Sequence, residues 1–141
     1  MLKVFLALFV MSFAAGCVNV ATATVDPAVD LSRVKTAYVV KLPKDERGVN
    51  RLIADKLKDK GVSATTGADP KPSNAVDAIV TYADRWHWDI TMYMLELTIT
   101  VRDPRNEVPM ATGRSLHTSL TRKSPEEMVA EVLDSIYKGK Q

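Results

Sequence analysis

Val4 to Ala15 is an apolar run interrupted by Ser12. It follows Lys3 and closes on Ala14, Ala15 and Gly16 immediately before Cys17, the chain's single cysteine. This arrangement constrains everything downstream. A positive residue, an apolar stretch and small residues at its end are the pattern of a secretory leader that is removed from the mature protein. The run is too short to cross a bilayer as a helix, which takes about 20 apolar residues, and the polar Asn19 and Thr22 follow at once. Residues 1–16 therefore read as a signal, and the fold has to be built from about 125 residues with no internal disulfide. A chain of that size buries most of the surface it exposes when unfolded, so hydrophobic burial suffices without a structural metal or disulfide. It is long enough for one domain, since single domains run to roughly 100–200 residues.

Phe13-Ala14-Ala15-Gly16-Cys17 resembles the bacterial lipobox, with Ala14 where the lipobox usually has Leu. The resemblance implies that Cys17 becomes the first mature residue and carries a diacylglyceryl thioether and an amide-linked acyl chain. Two or more acyl chains hold a protein stably to a membrane where one does not. Val18, in place of an Asp directly after the cysteine, implies the outer membrane, periplasmic side. The alternative is an ordinary secretory leader cut nearby, with Cys17 a spare thiol. A lone exposed cysteine is a liability in an exported protein, which weighs against that alternative.

The mature chain carries 18 Lys and Arg against 17 Asp and Glu. This balance offers little from which to build the basic patch that sequence-independent nucleic-acid binding requires, so no nucleic-acid partner is expected. Asp55, Lys56, Lys58, Asp59 and Lys60 alternate in sign, the pattern of a solvated helix face.

Residues 17–32, rich in Ala, Thr and Val, read as the lipidated cysteine and a tether, whose root-mean-square reach is on the order of 20 Å if flexible. The alternation in Val18-Asn19-Val20-Ala21-Thr22 also fits a strand added to the sheet. The domain proper is assigned to residues 33–141. Val34 to Val40 predicts a first strand. Val49, Leu52, Ile53 and Leu57 predict a helix from about Asp45, which can cap it, to Lys60, with Gly61 as its stop. Val62 to Thr66 is a short strand, and Gly67 to Asn74 a loop. Three longer strands follow at Ala78–Trp88, Thr91–Arg102 and Met110–Thr121, the last two joined at Asp103-Pro104-Arg105-Asn106. Ser124-Pro125-Glu126-Glu127 opens a final helix with a capping box, and Met128, Val129, Val132, Leu133 and Ile136 form its apolar stripe. The expected fold is a single α+β domain: a mixed, mostly antiparallel sheet of about five strands covered by two helices. With the lipobox, this order is similar to the small envelope lipoproteins of Gram-negative bacteria, through Val25-Asp26-Pro27, Val34-Lys35-Thr36-Ala37-Tyr38, Lys60-Gly61 and Asp77-Ala78-Ile79-Val80-Thr81-Tyr82. The resemblance implies fold and location and brings no catalytic motif.

Tyr82-Ala83-Asp84-Arg85-Trp86-His87-Trp88-Asp89 holds both tryptophans. On a strand, Tyr82, Trp86 and Trp88 share a face with Val80, while Arg85 and His87 point the other way. The Trp pair then either caps the end of the core beneath a helix or forms a surface platform for a partner, sugar or lipid, with Asp84 and Asp89 as polar rims or as acceptors of the indole N–H groups, and His87 as a further partner-binding candidate. Trp86, deeper in the strand, is assigned to the core and Trp88 to binding. His87, Asp89 and His117 lack the spacing of a metal site, so no metal or cofactor is expected. Ser115 and His117, with Thr118, Ser119 and Thr121, read as a sheet face or edge open to water rather than as nucleophile and base. Met92 and Met94 fall opposite Leu95 and Leu97 by strand alternation, which predicts a strand covered on both sides. Neither a phosphate loop nor a Gly-x-Ser-x-Gly elbow is present. The reading is a non-enzymatic, lipid-anchored module of the cell envelope that binds a protein or glycan or serves in an assembly. The alternative is a periplasmic hydrolase, which a pocket with convergent polar groups and perturbed carboxylates would reveal.

Overall fold

The computed structural model describes residues 19–138; the leader and Cys17 lie outside the described residues. The elements in chain order are β1 (Val20–Val25), a 3-10 turn at Leu31–Arg33, β2 (Thr36–Val40), α1 (Val49–Asp59), β3 (Ser63–Gly67), β4 (Ala78–Asp89), β5 (Thr91–Arg102), β6 (Pro109–Leu116), a second 3-10 turn at Ser119–Thr121, and α2 (Pro125–Lys138). The six strands form one mixed sheet in the order β1-β6-β5-β4-β2-β3. β2 runs parallel to both β3 and β4, and the other pairs are antiparallel.

The α+β class, the two helices and the long antiparallel strands follow the sequence pattern. The sheet has one strand more than expected, because Val20–Val25 is not a tether. It pairs antiparallel with β6 along its whole length, from Val20 opposite Leu116 to Val25 opposite Ala111. Its four central residues are exposed and give no apolar signature; backbone pairing with the β6 edge, the packing of Val25 on the core and the contact with α2 hold it.

α1 rests on β2 and β3, α2 on β1, β5 and β6, and the helices touch each other. Val49, Ile53 and Leu57 of α1 and Met128, Val129, Val132, Leu133 and Ile136 of α2 merge with Val39, Val80, Leu97, Ile99 and Val101 in one buried cluster, so both helices cover the same face. Each fully buried aliphatic side chain of this kind contributes about 1.5–3 kcal/mol. α2 approaches β6 closely at Gly113, where a Cβ would stand 2.8 Å from side-chain carbons of both Ile136 and Val132. Its N-terminus carries the expected capping box: Ser124 N–H donates to Glu127 at 2.8 Å, and Glu127 N–H donates to the Ser124 hydroxyl at 3.2 Å.

Two local expectations are overturned. α1 begins at Val49 rather than near Asp45, because Gly48 sits in the left-handed region at φ 74° and Asp45 caps from four residues upstream. β6 ends at Leu116, and the chain turns into the 3-10 segment Ser119–Thr121 instead of continuing as strand. A third correction concerns β5. Arg85 lies opposite Glu96 but Trp86 lies opposite Met94, so Leu95 is an extra residue in β5. This bulge resets the alternation, and Met94 and Leu97 are both fully buried rather than on opposite faces. The Leu95 carbonyl accepts the His117 N–H at 3.0 Å instead.

Candidate binding cleft at the hairpin end

The segment between β2 and α1 folds over the helix-side face of the sheet, and Asp45 organises it. Asp45 Oδ1 accepts the N–H groups of Arg47 and Gly48 at 3.0 and 2.8 Å, and Oδ2 accepts the Asn50 N–H at 3.1 Å and the Tyr82 hydroxyl at 2.6 Å. The Tyr82 oxygen in turn accepts the Leu42 N–H at 3.1 Å, which pins the loop to β4. Burial alone would raise the Asp45 pKa, but the hydrogen bonds from Tyr82 and the backbone outweigh it and hold the carboxylate below its ordinary range. Burial, then the bond to Asp45, push the Tyr82 phenol up.

Between this loop and the outer half of the β4–β5 hairpin lies a cleft of about 790 Å³, lined by Leu42, Pro43, Asp45, Arg47, Tyr82, Asp84, Trp86 and Met92 among others. That volume falls within the range of small-ligand sites, roughly 300–1,000 Å³. Trp86 forms its wall. The indole N–H donates to Asp84 Oδ2 at 2.8 Å, and the Arg47 guanidinium lies 4.2 Å from the ring centroid. Such a cation–π contact contributes about 0.5–1 kcal/mol at an exposed site and presents a flat, polarised surface. Asp45, Tyr82, Asp84 and Arg47 are committed to one another or to Trp86, and beside this aromatic and apolar wall the lining adds the exposed Lys44 and Glu46.

The tryptophans separate. Trp86 is half-buried and packs against the core, while Trp88 is 71% exposed, so the pair does not jointly cap the core beneath a helix. Both lie on the helix-side face, opposite Met94 and Met92, but Trp88 stands two residues nearer the hairpin tip and is uncovered. Asp84 belongs to the cleft. His87 and Asp89 do not. His87 is exposed and meets Tyr93 edge-on at 6.3 Å, and Asp89 accepts a hydrogen bond from the Ser119 hydroxyl. The sequence pattern marks Asp45 as a helix cap but not as a cleft residue, and it does not mark Arg47 or Ile90. Loop residues without periodicity carry no positional signal, but an apolar residue between Asp89 and Thr91, where a hairpin turn favours Gly or Asn, was a legible anomaly.

Ser115 and His117 are buried, not open to water. Ser115 faces α2, and its hydroxyl donates to Glu131 Oε2 at 2.6 Å, while His117 Nε2 contacts the same oxygen at 2.6 Å. Both groups engage the carboxylate rather than each other, so the histidine is not placed as a base for the serine. Burial would raise the Glu131 pKa, yet the bonds from Ser115 and His117 bring it below its ordinary value. Among the described residues no group of three His, Cys, Asp or Glu side chains is placed to hold a metal ion, and His87, Asp89 and His117 do not converge.

No protein-family model matches the chain, and a search of curated proteins finds no significant match. Among solved structures the fold is similar to that of the PelC dodecamer from Paraburkholderia phytofirmans, at 17% identity and a TM-score of 0.61, covering 84% of this chain and 98% of that one. It is also similar to part of a PDZ domain protein from Parabacteroides distasonis, at 10% identity and a TM-score of 0.53, covering 84% of this chain and 35% of that one. At these identities the likeness is one of fold.

Proposed function

We propose that this chain is an exported lipoprotein, acylated at Cys17, held on the periplasmic side of the outer membrane and acting by binding rather than by catalysis. The observation that carries the binding reading is the cleft between the Asp45 loop and the β4–β5 hairpin, where an Arg47–Trp86 stack stands beside apolar walls. Such surfaces suit a protein segment or a glycan ring, since aromatic faces and Arg planes make large contacts at low entropic cost. Two of the cleft's carboxylates are engaged in structure: Asp45 spends both oxygens on the loop and Tyr82, and Asp84 accepts the Trp86 indole N–H. Assembly with further copies is supported by the dodecameric state of the PelC neighbour and by sheet edges at β1 and β3 with no strand beyond them among the described residues. No helix among the described residues is long and apolar enough to cross a membrane.

The test is site-specific photo-crosslinking in intact cells from position 47, compared with position 108 in the β5–β6 turn at the opposite end of the sheet. Crosslinked product from position 47 that disappears on Trp86→Ala supports the cleft as the binding site. Equal labelling from both positions contradicts it.

A further inference from the structure

Four of the five large apolar side chains left exposed among the described residues stand at one end of the sheet: Trp88, Ile90, Met92 and Leu120. Ile90 and Leu120 are 87% and 89% exposed. The fifth, Val108, lies in the β5–β6 turn at the opposite end. The strand register shows what else is at the apolar end. Val20 pairs with Leu116, Leu116 with Glu96 and Glu96 with Arg85, so the start of β1 is level with the root of the hairpin that carries Trp88 and Ile90.

The 3-10 turn at Ser119–Thr121 ties the two together. Ser119 donates to Asp89, Arg122 donates to Thr91 Oγ1 at 2.7 Å and to the Asp89 carbonyl at 3.3 Å, and the Thr121 hydroxyl donates to the Asn19 side chain at 2.6 Å. The chain preceding β1 therefore leaves the fold beside Leu120 and the hairpin tip. Cys17 is two residues before Asn19, and two residues reach at most about 7 Å.

We propose that this end of the sheet seats in the bilayer surface, with Trp88, Ile90 and Leu120 entering the boundary between headgroups and acyl chains. The proposal rests on the acylation of Cys17. An anchor so close to the fold leaves no tether to hold the tip clear of lipid, and an exposed Trp beside branched aliphatic residues is the composition that partitions to that boundary. Asp89, the carboxylate within the tip, faces Arg122 at 3.7 Å, which lowers the cost of bringing it to the interface. Ile90 has φ 61°, a region that β-branched residues rarely enter, so the apex holds a branched apolar residue against the backbone preference of the turn.

The experiment uses the full chain, matured in cells, purified from membranes and reconstituted into phosphatidylethanolamine–phosphatidylglycerol vesicles, with or without a phosphatidylcholine brominated near the top of its acyl chains. Trp86→Phe leaves Trp88 as the reporter, and Trp88→Phe leaves Trp86. Brominated lipid should remove most of the Trp88 emission and leave most of the Trp86 emission. In the chain with both tryptophans, Ile90→Asp should reduce the quenching about twofold, a change at a fully exposed position that does not depend on how the Trp variants fold. Trp88 emission unaffected by bromine, with Cys17 shown by mass spectrometry to be acylated, overturns the seating proposal alone. Trp88 shielded from both bromine and aqueous iodide overturns it in favour of a contact between copies. An unmodified Cys17 overturns the anchor reading, and the seating proposal with it.

Discussion

At the scale of single residues, Asp45 and Glu131 show how a carboxylate becomes structural. Each is held below its ordinary pKa by donors that outweigh its burial. The sign of the pH effect follows: a depressed folded pKa gives stability that is complete above the unfolded value and is lost as pH falls through the folded one. The denaturant midpoint should be level from neutrality to about pH 5 and fall below it, and Asp45→Asn should flatten part of that fall. Asp45→Ala at neutral pH should cost about 1–3 kcal/mol, because it removes a cap and strands the Tyr82 hydroxyl. A midpoint equal to the unaltered protein's would refute the organising role of Asp45. For the tryptophans, half-burial places Trp86→Ala at about 1–3 kcal/mol, short of the 3–5 expected of a fully buried ring, while Trp88→Ala should stay within about 0.5 kcal/mol. Urea titrations of the two variants separate them.

At the scale of elements, local chemistry was legible where one signal acted alone. The capping box at Ser124, the Asp103 turn and the apolar stripe of α2 read directly from residue types. What failed was periodicity across an irregularity. A bulge at Leu95 cannot be seen in alternation, so Met94 and Leu97 fell on opposite faces in the sequence reading and on the same face in the fold. β1 was legible only as one of two alternatives, tether or added strand, because its four central residues are exposed and carry no apolar stripe. Ser115 and His117 looked solvated because the carboxylate that satisfies them, Glu131, comes from α2, distant in sequence. The cleft was half-legible for the same reason: Trp86 and Asp84 stood out in one strand, but their partner Arg47 arrives from a loop. The contact of α2 with β6 gives an element-scale test. Gly113→Ala should cost about 1–3 kcal/mol by overpacking Ile136 and Val132, read as a lowered thermal midpoint with unchanged helix content.

At the scale of the whole molecule, the sheet has a helix-covered face, an opposite face on which Tyr38, Ile79 and Tyr93 are nonetheless buried, and one apolar end. Thr24, Thr112, Thr100 and Thr81 stand in register across β1, β6, β5 and β4 on the face opposite the helices, where partly exposed hydroxyls suit water. Burial of one continuous core makes metal unnecessary, so the cooperative thermal transition should survive excess chelator, and its loss would contradict that view. Under the proposed anchor at Cys17, the orientation of the molecule, and with it the placing of the cleft and the apolar tip, follows from that residue. The most direct measurement is intact and peptide mass spectrometry of the protein extracted from cell membranes. A mature N-terminus at Cys17 bearing the mass of a diacylglyceryl group and an amide-linked acyl chain is the expected result. A mature chain with an unmodified Cys17, or one cut elsewhere, would contradict the account.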